Sequence, residues 1–303
     1  MLFVVAAALA GMLSLSEGRT QLKAMILSAD AIYLEGFLRR RLHNQNLPDA
    51  KVLGAIPPPA PDAYRWLTTA LDTHGFVSVA HKGGLEHLGT NSLNSLNNGY
   101  RAGFRLLEID FLKTNDNRIV CGHHWPNKSI PTTLKEYTEP LSEGKGRPCT
   151  LDDVIRFTNS HRDIFIILDI KSDFEEAYRI IIERIEQQSS RDMAFVPQVY
   201  SFQQLALTRR SRVFAGEIFT AYRSALTSVQ IYRFAEQTGV QAVTMPLAQM
   251  ARHRGGTFAV TTFIHPVNDF NLLKKAAQKG IKGIYTSYLS PPVLEMAGSP
   301  QQY

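Results

Sequence analysis

Residues 164–171 read IFIILDIK, and residues 106–110 read LLEID. Each is a short apolar run that ends in acidic side chains. An apolar run of this length without alternation is typical of a strand buried on both faces, as in a parallel sheet. In a closed parallel sheet, the side chains at the carboxyl ends of the strands gather at one mouth. The two runs therefore predict both the type of sheet and the position of its polar site.

Short β-branched runs alternate with helical stretches from Phe76 onward, which predicts βα units around a parallel sheet. The candidate strands are Phe76–Ala80, Leu106–Asp110, Ile164–Ile170, Phe195–Tyr200, Val213–Ile218, Ala242–Met245, Phe258–Thr262 and Gly283–Tyr285. The helical stretches between them include Asn91–Ala102, Thr150–Ser160, Phe174–Gln187, Ser228–Gln237 and Val267–Lys279. Eight strands over about 215 residues predict an α/β fold of the (β/α)8 TIM-barrel type. A doubly wound open sheet is the alternative, and it is disfavoured because no GxGxxG turn follows the first strand.

The region before the barrel divides into two parts. Residues 1–16 are almost wholly apolar, which predicts a signal peptide or a membrane anchor. We therefore expect an exported or membrane-anchored protein of the periplasm or cell envelope; a buried helix, or a chain that starts upstream, is the alternative. Residues 17–75 predict a helical extension with a Pro-rich linker at 56–61, and residues 76–303 form the predicted barrel domain.

The composition excludes several classes of protein. With 44% hydrophobic and 20% charged residues, the chain is globular in character and unlike a disordered or collagen-like one. A formal net charge of +6 favours anionic partners, such as a small phosphodiester or a lipid headgroup. The basic residues are dispersed and no nucleic-acid-binding motif is present, so we expect no nucleic-acid partner.

The two cysteines, Cys121 and Cys149, lack the CxxC spacing of a zinc site. They form one disulfide if the chain folds in an oxidising compartment, and otherwise they are two unrelated thiols. The segment Trp125–Pro148 between them contains Pro, Gly and Lys and has no sustained periodicity. Long loops in compact domains are usually functional or disordered. We expect this one to form a lid or a wall of the substrate site.

Acidic residues at two strand ends predict a metal site. Glu108 and Asp110 are two residues apart, so on a strand they point to the same face and repel each other unless a cation or a proton neutralises them. Asp169 ends the next strand and is a third candidate ligand. Oxygen ligands of this kind suit Mg²⁺ or Ca²⁺. A solvated acidic pair and a simple Asp169–Lys171 ion pair are the alternatives.

Two histidines lie in equivalent places. His81 follows the first candidate strand and is succeeded by Lys82 and two glycines, a combination that suits phosphate binding. His123 and His124 follow the apolar run 119–121. Adjacent residues on an extended segment point to opposite faces, so at most one of the two is expected to face the site, and we choose His123.

In order along the chain, these motifs resemble the glycerophosphodiester phosphodiesterase family of phospholipase-C-like barrels. The family's HRG motif and PENT-like turn correspond to HKG at 81–83 and GTNSL at 89–93, and its ExD motif to EID at 108–110. Its HD motif corresponds to His123-His124, and its LEIK-like strand to LDIK at 168–171. QVYSF at 198–202, TFIHPVND at 262–269 and GIYT at 283–286 match later parts. The resemblance covers residues 76–292.

The resemblance implies an enzyme whose divalent cation is held by Glu108, Asp110 and Asp169. It implies that His81 and His123 are the general acid and base. It also implies that Lys82 and Lys171 offset charge on the substrate phosphate. The expected reaction is hydrolysis of a glycerophosphodiester to glycerol 3-phosphate and an alcohol.

Four positions depart from the family pattern. Lys82 replaces an arginine, Thr90 the glutamate of PENT, His124 the aspartate of HD, and Asp169 the glutamate of LEIK. Two alternative functions therefore stay open. One is a phospholipase-type reaction that forms a cyclic phosphate. The other is an envelope-anchored binding barrel without catalytic activity.

Overall fold

The computed structural model describes residues 53–85, 90–125, 132–138, 149–190, 192–221, 224, 226–247 and 260–291. The predicted signal peptide or anchor at 1–16 lies outside the described residues. Residues 17–52 of the predicted extension and most of the predicted lid at 125–148 lie outside them as well. None of the helices within the described ranges combines the length and apolar character needed to span a bilayer.

Nine strands within the described residues form one sheet. They are β1 Val77–Ala80, β2 Leu106–Lys113, β3 Ile119–Cys121, β4 Phe165–Ile170, β5 Phe195–Val199, β6 Ile218–Thr220, β7 Ala242–Pro246, β8 Thr261–His265 and β9 Gly283–Thr286. All neighbours pair in parallel except β2 and β3, and β1 pairs with both β2 and β9. Eight parallel strands therefore close into a barrel, and the predicted TIM barrel is confirmed.

The helices alternate with the strands. They are α1 Arg65–His74, α2 Leu93–Arg101, α3 Leu134–Thr138, α4 Leu151–Ser160, α5 Phe174–Gln188, α6 Phe202–Arg210, α7 Ser228–Thr238 and α8 Phe270–Gln278. Helices α2, α4 and α7 begin with capping boxes, at Ser92, Thr150 and Thr227. In each box a side-chain oxygen accepts from a backbone N–H that the helix itself leaves without a partner.

Three strands differ from the sequence prediction. Strand β6 begins at Ile218, not Val213, because Gly216 has a φ of 97° that breaks the extended chain. Strand β8 extends to His265, where it still pairs with Pro246 of β7. Strand β2 runs past Asp110 because its outer half pairs with β3, a strand that was not predicted.

The amino-terminal end of the barrel is closed by the segment that precedes β1. The backbone N–H of Tyr64 and the indole N–H of Trp66 both donate to the carbonyl oxygen of Ala215, at 2.8 and 2.9 Å. Both aromatic side chains are buried against the first residues of the strands, such as Val77. Because two large aromatic side chains are buried here, the start of α1 belongs to the hydrophobic core of the barrel.

A buried ion pair ties the Pro-rich linker to the barrel. Arg209 on α6 donates to Glu217 through Nε (2.6 Å) and to the carbonyl oxygen of Pro57 through Nη1 (3.0 Å), and it also bonds the carbonyl oxygen of Thr238. Burial raises the pKa of Glu217, and Arg209 opposes that rise. The carboxylate therefore depends on Arg209 for compensation of its charge.

Replacing Arg209 with methionine leaves Glu217 buried without its cation. Breaking a buried pair in this way typically costs about 3–5 kcal/mol, and we expect that loss in the free energy of unfolding measured in urea. The matched control is Arg210→Met, since Arg210 is the next residue and is exposed. Equal stability of the two variants would show that the ion pair does not hold the linker.

Cys121 and Cys149 form a disulfide, which resolves the alternative left open by the sequence. It joins the end of β3 to the residue before the N-cap of α4, and both cysteines are buried. The two cysteines are 28 positions apart in the chain, and the loop that the bond closes begins with Gly122 and His123. It therefore fixes the base of the segment that carries a candidate catalytic histidine.

Removing the disulfide by the double replacement Cys121→Ala, Cys149→Ala frees this loop in the unfolded chain. The chain-entropy relation gives a loss of about 3–4 kcal/mol for a loop of this length. Urea unfolding of the oxidised protein and the variant measures the difference. Dithiothreitol should destabilise the natural protein and leave the variant unchanged; an effect on both would contradict the assignment.

Candidate functional site

The three predicted acids meet inside the carboxyl-terminal mouth of the barrel. Asp110 on β2 is in direct register with Asp169 on β4, and Glu108 lies two residues earlier on the same face of β2. Each offers a carboxylate oxygen, and the three oxygens lie within 4.8 Å of one another. The three residues are 1–2% exposed. Residues separated by up to 61 positions in the chain thus form one buried acidic cluster.

The electrostatics of the cluster differ between its members. Burial, and then the charges of Asp110 and Asp169, raise the pKa of Glu108 well above its usual range. Burial also acts to raise the pKa of Asp110, but Lys171, His123 and Asn91 together outweigh it, and that pKa is lowered. The cluster therefore carries more negative charge than the neighbouring positive groups neutralise. This excess of negative charge contributes to the raised pKa of Glu108.

A lysine and a tyrosine bind the acids directly. The ammonium of Lys171 lies 2.8 Å from Asp169 Oδ2 and 3.1 Å from Asp110 Oδ1. The hydroxyl of Tyr200, which follows β5, is 2.8 and 2.7 Å from the two oxygens of Asp169. Lys171 thus bridges two carboxylates, and Tyr200 orients one of them.

Two contacts come from the segment between β1 and α2. Lys82 has a left-handed backbone (φ 54°), and its N–H donates to Glu108 Oε2 at 2.7 Å. The Asn91 amide donates to Asp110 Oδ2, and Asn91 Oδ1 accepts from the Asp110 N–H, both at 2.9 Å. Lys82 therefore joins the site through its backbone as well as through its charge, and Asn91 holds Asp110 from both sides.

His81 lies at the same mouth, directly after β1. Its Nδ1 is 3.0 Å from Ser287 Oγ, and its ring contacts His265 edge to face, with 4.5 Å between centroids. Burial, followed by the charges of His265 and Lys82, lowers the pKa of His81 well below its usual range. Burial and Lys171 likewise lower the pKa of His265 to about 3. Both imidazoles are therefore neutral near pH 7, a state in which a histidine can accept a proton.

His123 is close enough to act on the same groups. Its charge contributes to the lowered pKa of Asp110, of His81 and of His265. The expectation that His123 and His124 point to opposite faces is wrong. Their rings touch, with 4.0 Å between centroids and 2.6 Å between Nδ1 and Nε2, because the chain bends at these two residues, beyond the end of β3. His124 is exposed beside the site.

The donor set fits a divalent cation. Three ionised carboxylates carry three negative charges, and the Lys171 ammonium offsets one of them. The two negative charges that remain are the charge that one divalent cation neutralises. All of the candidate ligands are oxygens, the type that Mg²⁺ and Ca²⁺ prefer. The raised pKa of Glu108 is consistent with this excess of negative charge in the site.

Sequence reasoning missed four residues that contact the site. They are Asn91, Tyr200, His265 and Ser287. The first three fall inside motifs that carried the family resemblance, so those motifs were the available signal. Ser287 directly follows the last of them. Thr90, at the position of the family's missing glutamate, is exposed.

The chain resembles known proteins in its three-dimensional structure but not in the comparisons of its sequence. No family model matches the sequence. No curated protein matches it either.

Several solved structures do match. A glycerophosphodiester phosphodiesterase from Thermotoga maritima is 17% identical, with 73% of this chain and 96% of that chain covered and a TM-score of 0.56. A phosphodiesterase from Oleispira antarctica, in complex with the product sn-glycerol-3-phosphate, is 17% identical over the same shares, with a TM-score of 0.57. A glycerophosphodiester phosphodiesterase from Parabacteroides distasonis ATCC 8503 is 18% identical, covering 75% and 98%, with a TM-score of 0.57.

The chain has the fold of the glycerophosphodiester phosphodiesterases. The resemblance seen in the motifs is thereby confirmed at the level of the fold. Within the barrel of this chain, the segments HKG and EID and the strand LDIK occupy one mouth. Two of the residues that depart from the family pattern contribute there: the backbone N–H of Lys82 donates to Glu108, and Asp169 pairs with Lys171, which also bonds Asp110.

Proposed function

We propose that the chain is a phosphodiesterase dependent on Mg²⁺ or Ca²⁺, which hydrolyses glycerophosphodiesters to glycerol 3-phosphate and an alcohol. The observation that carries the proposal is the convergence of Glu108, Asp110 and Asp169 in one buried cluster beside two histidines. The fold shared with glycerophosphodiester phosphodiesterases supports the reaction class. The product bound to the Oleispira antarctica phosphodiesterase supports the choice of substrate.

Glu108, Asp110 and Asp169 would hold the cation. When bound there, a divalent ion supplies Lewis-acid polarisation of a phosphoryl oxygen. Tyr200 and Asn91 keep two of the three carboxylates in a fixed orientation through the bonds described above. The protein thereby provides a preorganised set of ligands.

His81 and His123 would exchange protons with the substrate. The neutral imidazole of His81 suits a group that accepts a proton from the attacking water. His123 is partly exposed, its charge acts on Asp110, and it suits the donation of a proton to the leaving alkoxide. Lys82 and Lys171 supply positive charge beside the acids, where it offsets the charge of the phosphate oxygens.

Phosphorus NMR of a reaction with glycerophosphocholine tests the proposal. We expect the diester signal to be replaced by that of glycerol 3-phosphate in the presence of Mg²⁺, Ca²⁺ or Mn²⁺, and EDTA to stop the conversion. A cyclic phosphate as the final product would favour the phospholipase-type alternative. Absence of turnover on a panel of such diesters with each metal would overturn the proposed function.

We further propose that the protein works outside the reducing cytosol, in the periplasm or cell envelope, with membrane association through residues 1–16. The Cys121–Cys149 disulfide supports this location, because structural disulfides persist mainly in oxidising compartments. Alkylation of thiols during lysis of the producing cells tests it. Protection of both cysteines from alkylation is expected, and quantitative labelling of both would contradict the proposed location.

A further inference from the structure

A serine at the end of the last strand contacts the first histidine of the site. Ser287 Oγ lies 3.0 Å from His81 Nδ1, although the two residues are 206 positions apart in the chain. The contact follows from barrel closure, because β1 and β9 are neighbours and Ala80 is in register with Thr286. The next residues on the two strands are therefore side by side. Ser287 is 1% exposed, so water does not compete effectively for this bond.

Asn268 fixes the backbone that carries Ser287. Its Oδ1 accepts from the backbone N–H of Ser287 at 2.7 Å and from the hydroxyl of Thr286 at 3.2 Å. The oxygen of that hydroxyl also accepts from the backbone N–H of Leu289 at 3.0 Å. The turn after β9 is thus held by three hydrogen bonds to side-chain oxygens, and Ser287 has a defined position relative to the barrel.

The opposite constraint on His81 comes from β8. The ring of His265 packs edge to face against the ring of His81, and it also contacts Tyr285 with 5.2 Å between centroids. His265 and Tyr285 are buried, and the packing of His265 against the ring of His81 restricts rotation of that ring. One neighbour binds Nδ1 and another packs on the ring, so the orientation of His81 is specified from two sides.

We propose that Ser287 is the positioning residue of His81, binding Nδ1 so that Nε2 is the nitrogen that exchanges a proton with the substrate. This inference rests on the proposed function. In this arrangement the hydroxyl oxygen of Ser287 accepts from Nδ1–H, and the bond favours the neutral tautomer in which Nε2 carries the lone pair. When Nε2 gains a proton from the attacking water, Nδ1–H continues to donate to Oγ, and only the proton at Nε2 moves.

Nitrogen-15 NMR of the full chain with labelled histidine, recorded in Mg²⁺, tests the positioning directly. In the natural protein, we expect the His81 ring to populate one neutral tautomer, with shifts typical of a hydrogen-bonded Nδ1. In Ser287→Ala, both tautomers should be populated and exchange. Ser287→Thr, which keeps the hydroxyl, should restore the single tautomer, and Ser290→Ala, three residues further along the same turn, should leave it unchanged.

The loss of positioning in Ser287→Ala should also lower kcat without changing KM. Loss of an orienting partner typically lowers activity by about 10- to 100-fold, and we expect that decrease in Ser287→Ala with KM unchanged and with recovery in Ser287→Thr. A mixture of tautomers in the natural protein would overturn the inference without any variant. The same tautomer and the same kcat in Ser287→Ala would also overturn it.

The two proposals fail in different ways. If Ser287→Ala changes the tautomer and the natural protein hydrolyses no diester, then the positioning holds and the proposed function is wrong. If the natural protein hydrolyses glycerophosphocholine and Ser287→Ala is indistinguishable from it by both measurements, then the function holds and the positioning is wrong.

Discussion

The Glu108→Gln variant should lose about 10³-fold in kcat/KM while its metal-free form becomes more stable than the natural protein. Lewis-acid catalysis contributes several kcal/mol, and about 1.4 kcal/mol corresponds to a tenfold change in rate. The gain in stability has a separate cause. Burial, then Asp110 and Asp169, make ionisation of Glu108 unfavourable, and glutamine removes that charge.

This effect on stability has a defined dependence on pH. A carboxyl whose pKa is raised by folding contributes stability that is present below its unfolded pKa and is lost as the pH rises through the folded value. Metal-free natural protein should therefore lose stability towards alkaline pH, and Glu108→Gln should lose less. Thermal unfolding across a pH series, with and without Ca²⁺, measures both effects.

The matched control for this prediction is Glu186→Gln. Glu186 lies on the exposed side of α5, so its replacement should change neither activity nor the response to metal. Stabilisation by Ca²⁺ should be present in this control and absent from Glu108→Gln. Full activity in Glu108→Gln, or an undiminished response to Ca²⁺, would remove Glu108 from the proposed metal site.

The second large effect is expected at the histidines. His81→Ala should lower kcat by about 10²- to 10⁴-fold, the usual contribution of a general acid or base, and His123→Ala should do the same. The disulfide and the acidic cluster stay intact in both variants, so circular dichroism should show an unchanged fold. Steady-state hydrolysis of glycerophosphocholine is the measurement.

An exposed histidine provides the comparison. His74 on α1 lies near the opposite end of the barrel, and His74→Ala should keep full activity. Equal and negligible rates in the natural protein, His81→Ala and His123→Ala would favour the binding barrel without catalytic activity. A measurable natural rate that neither replacement reduces would exclude the two histidines from proton transfer.

Much of the architecture could be predicted from local sequence. The apolar runs that end in LEID and LDIK predicted a parallel sheet. Their acidic ends predicted that the site lies at the carboxyl-terminal mouth of the barrel. The convergence of Glu108, Asp110 and Asp169 then follows from the register of β2 and β4. This part was predictable because strand periodicity and barrel closure determine it with little help from the loops.

The contacts around the acids were less predictable because they depend on tertiary closure. Asn91 reaches Asp110 through a turn in which Asn91 itself has a φ of 48°, and Ser287 reaches His81 across the seam of the barrel. No spacing along the chain encodes these distances. Lys82 has a left-handed backbone that turns its N–H towards Glu108. The HKG motif was interpreted from its side chains, so it did not predict this backbone contact.

The pairing of His123 with His124 shows where a local rule fails. Alternation of side chains applies to a regular strand, but β3 ends at Cys121, and the chain bends at His123 and His124. Two adjacent rings can then contact each other. The cysteines illustrate a related limit, because only the fold brings Cys121 and Cys149 to a Cα separation of 5.2 Å.

Anomalous diffraction from crystals soaked in Mn²⁺ tests the central claim most directly. We predict one strong peak bounded by carboxylate oxygens of Glu108, Asp110 and Asp169, with the Lys171 ammonium moved away from its position between the two aspartates. No peak at this site, with Lys171 still bridging Asp110 and Asp169 at a metal concentration that supports hydrolysis, would contradict the account.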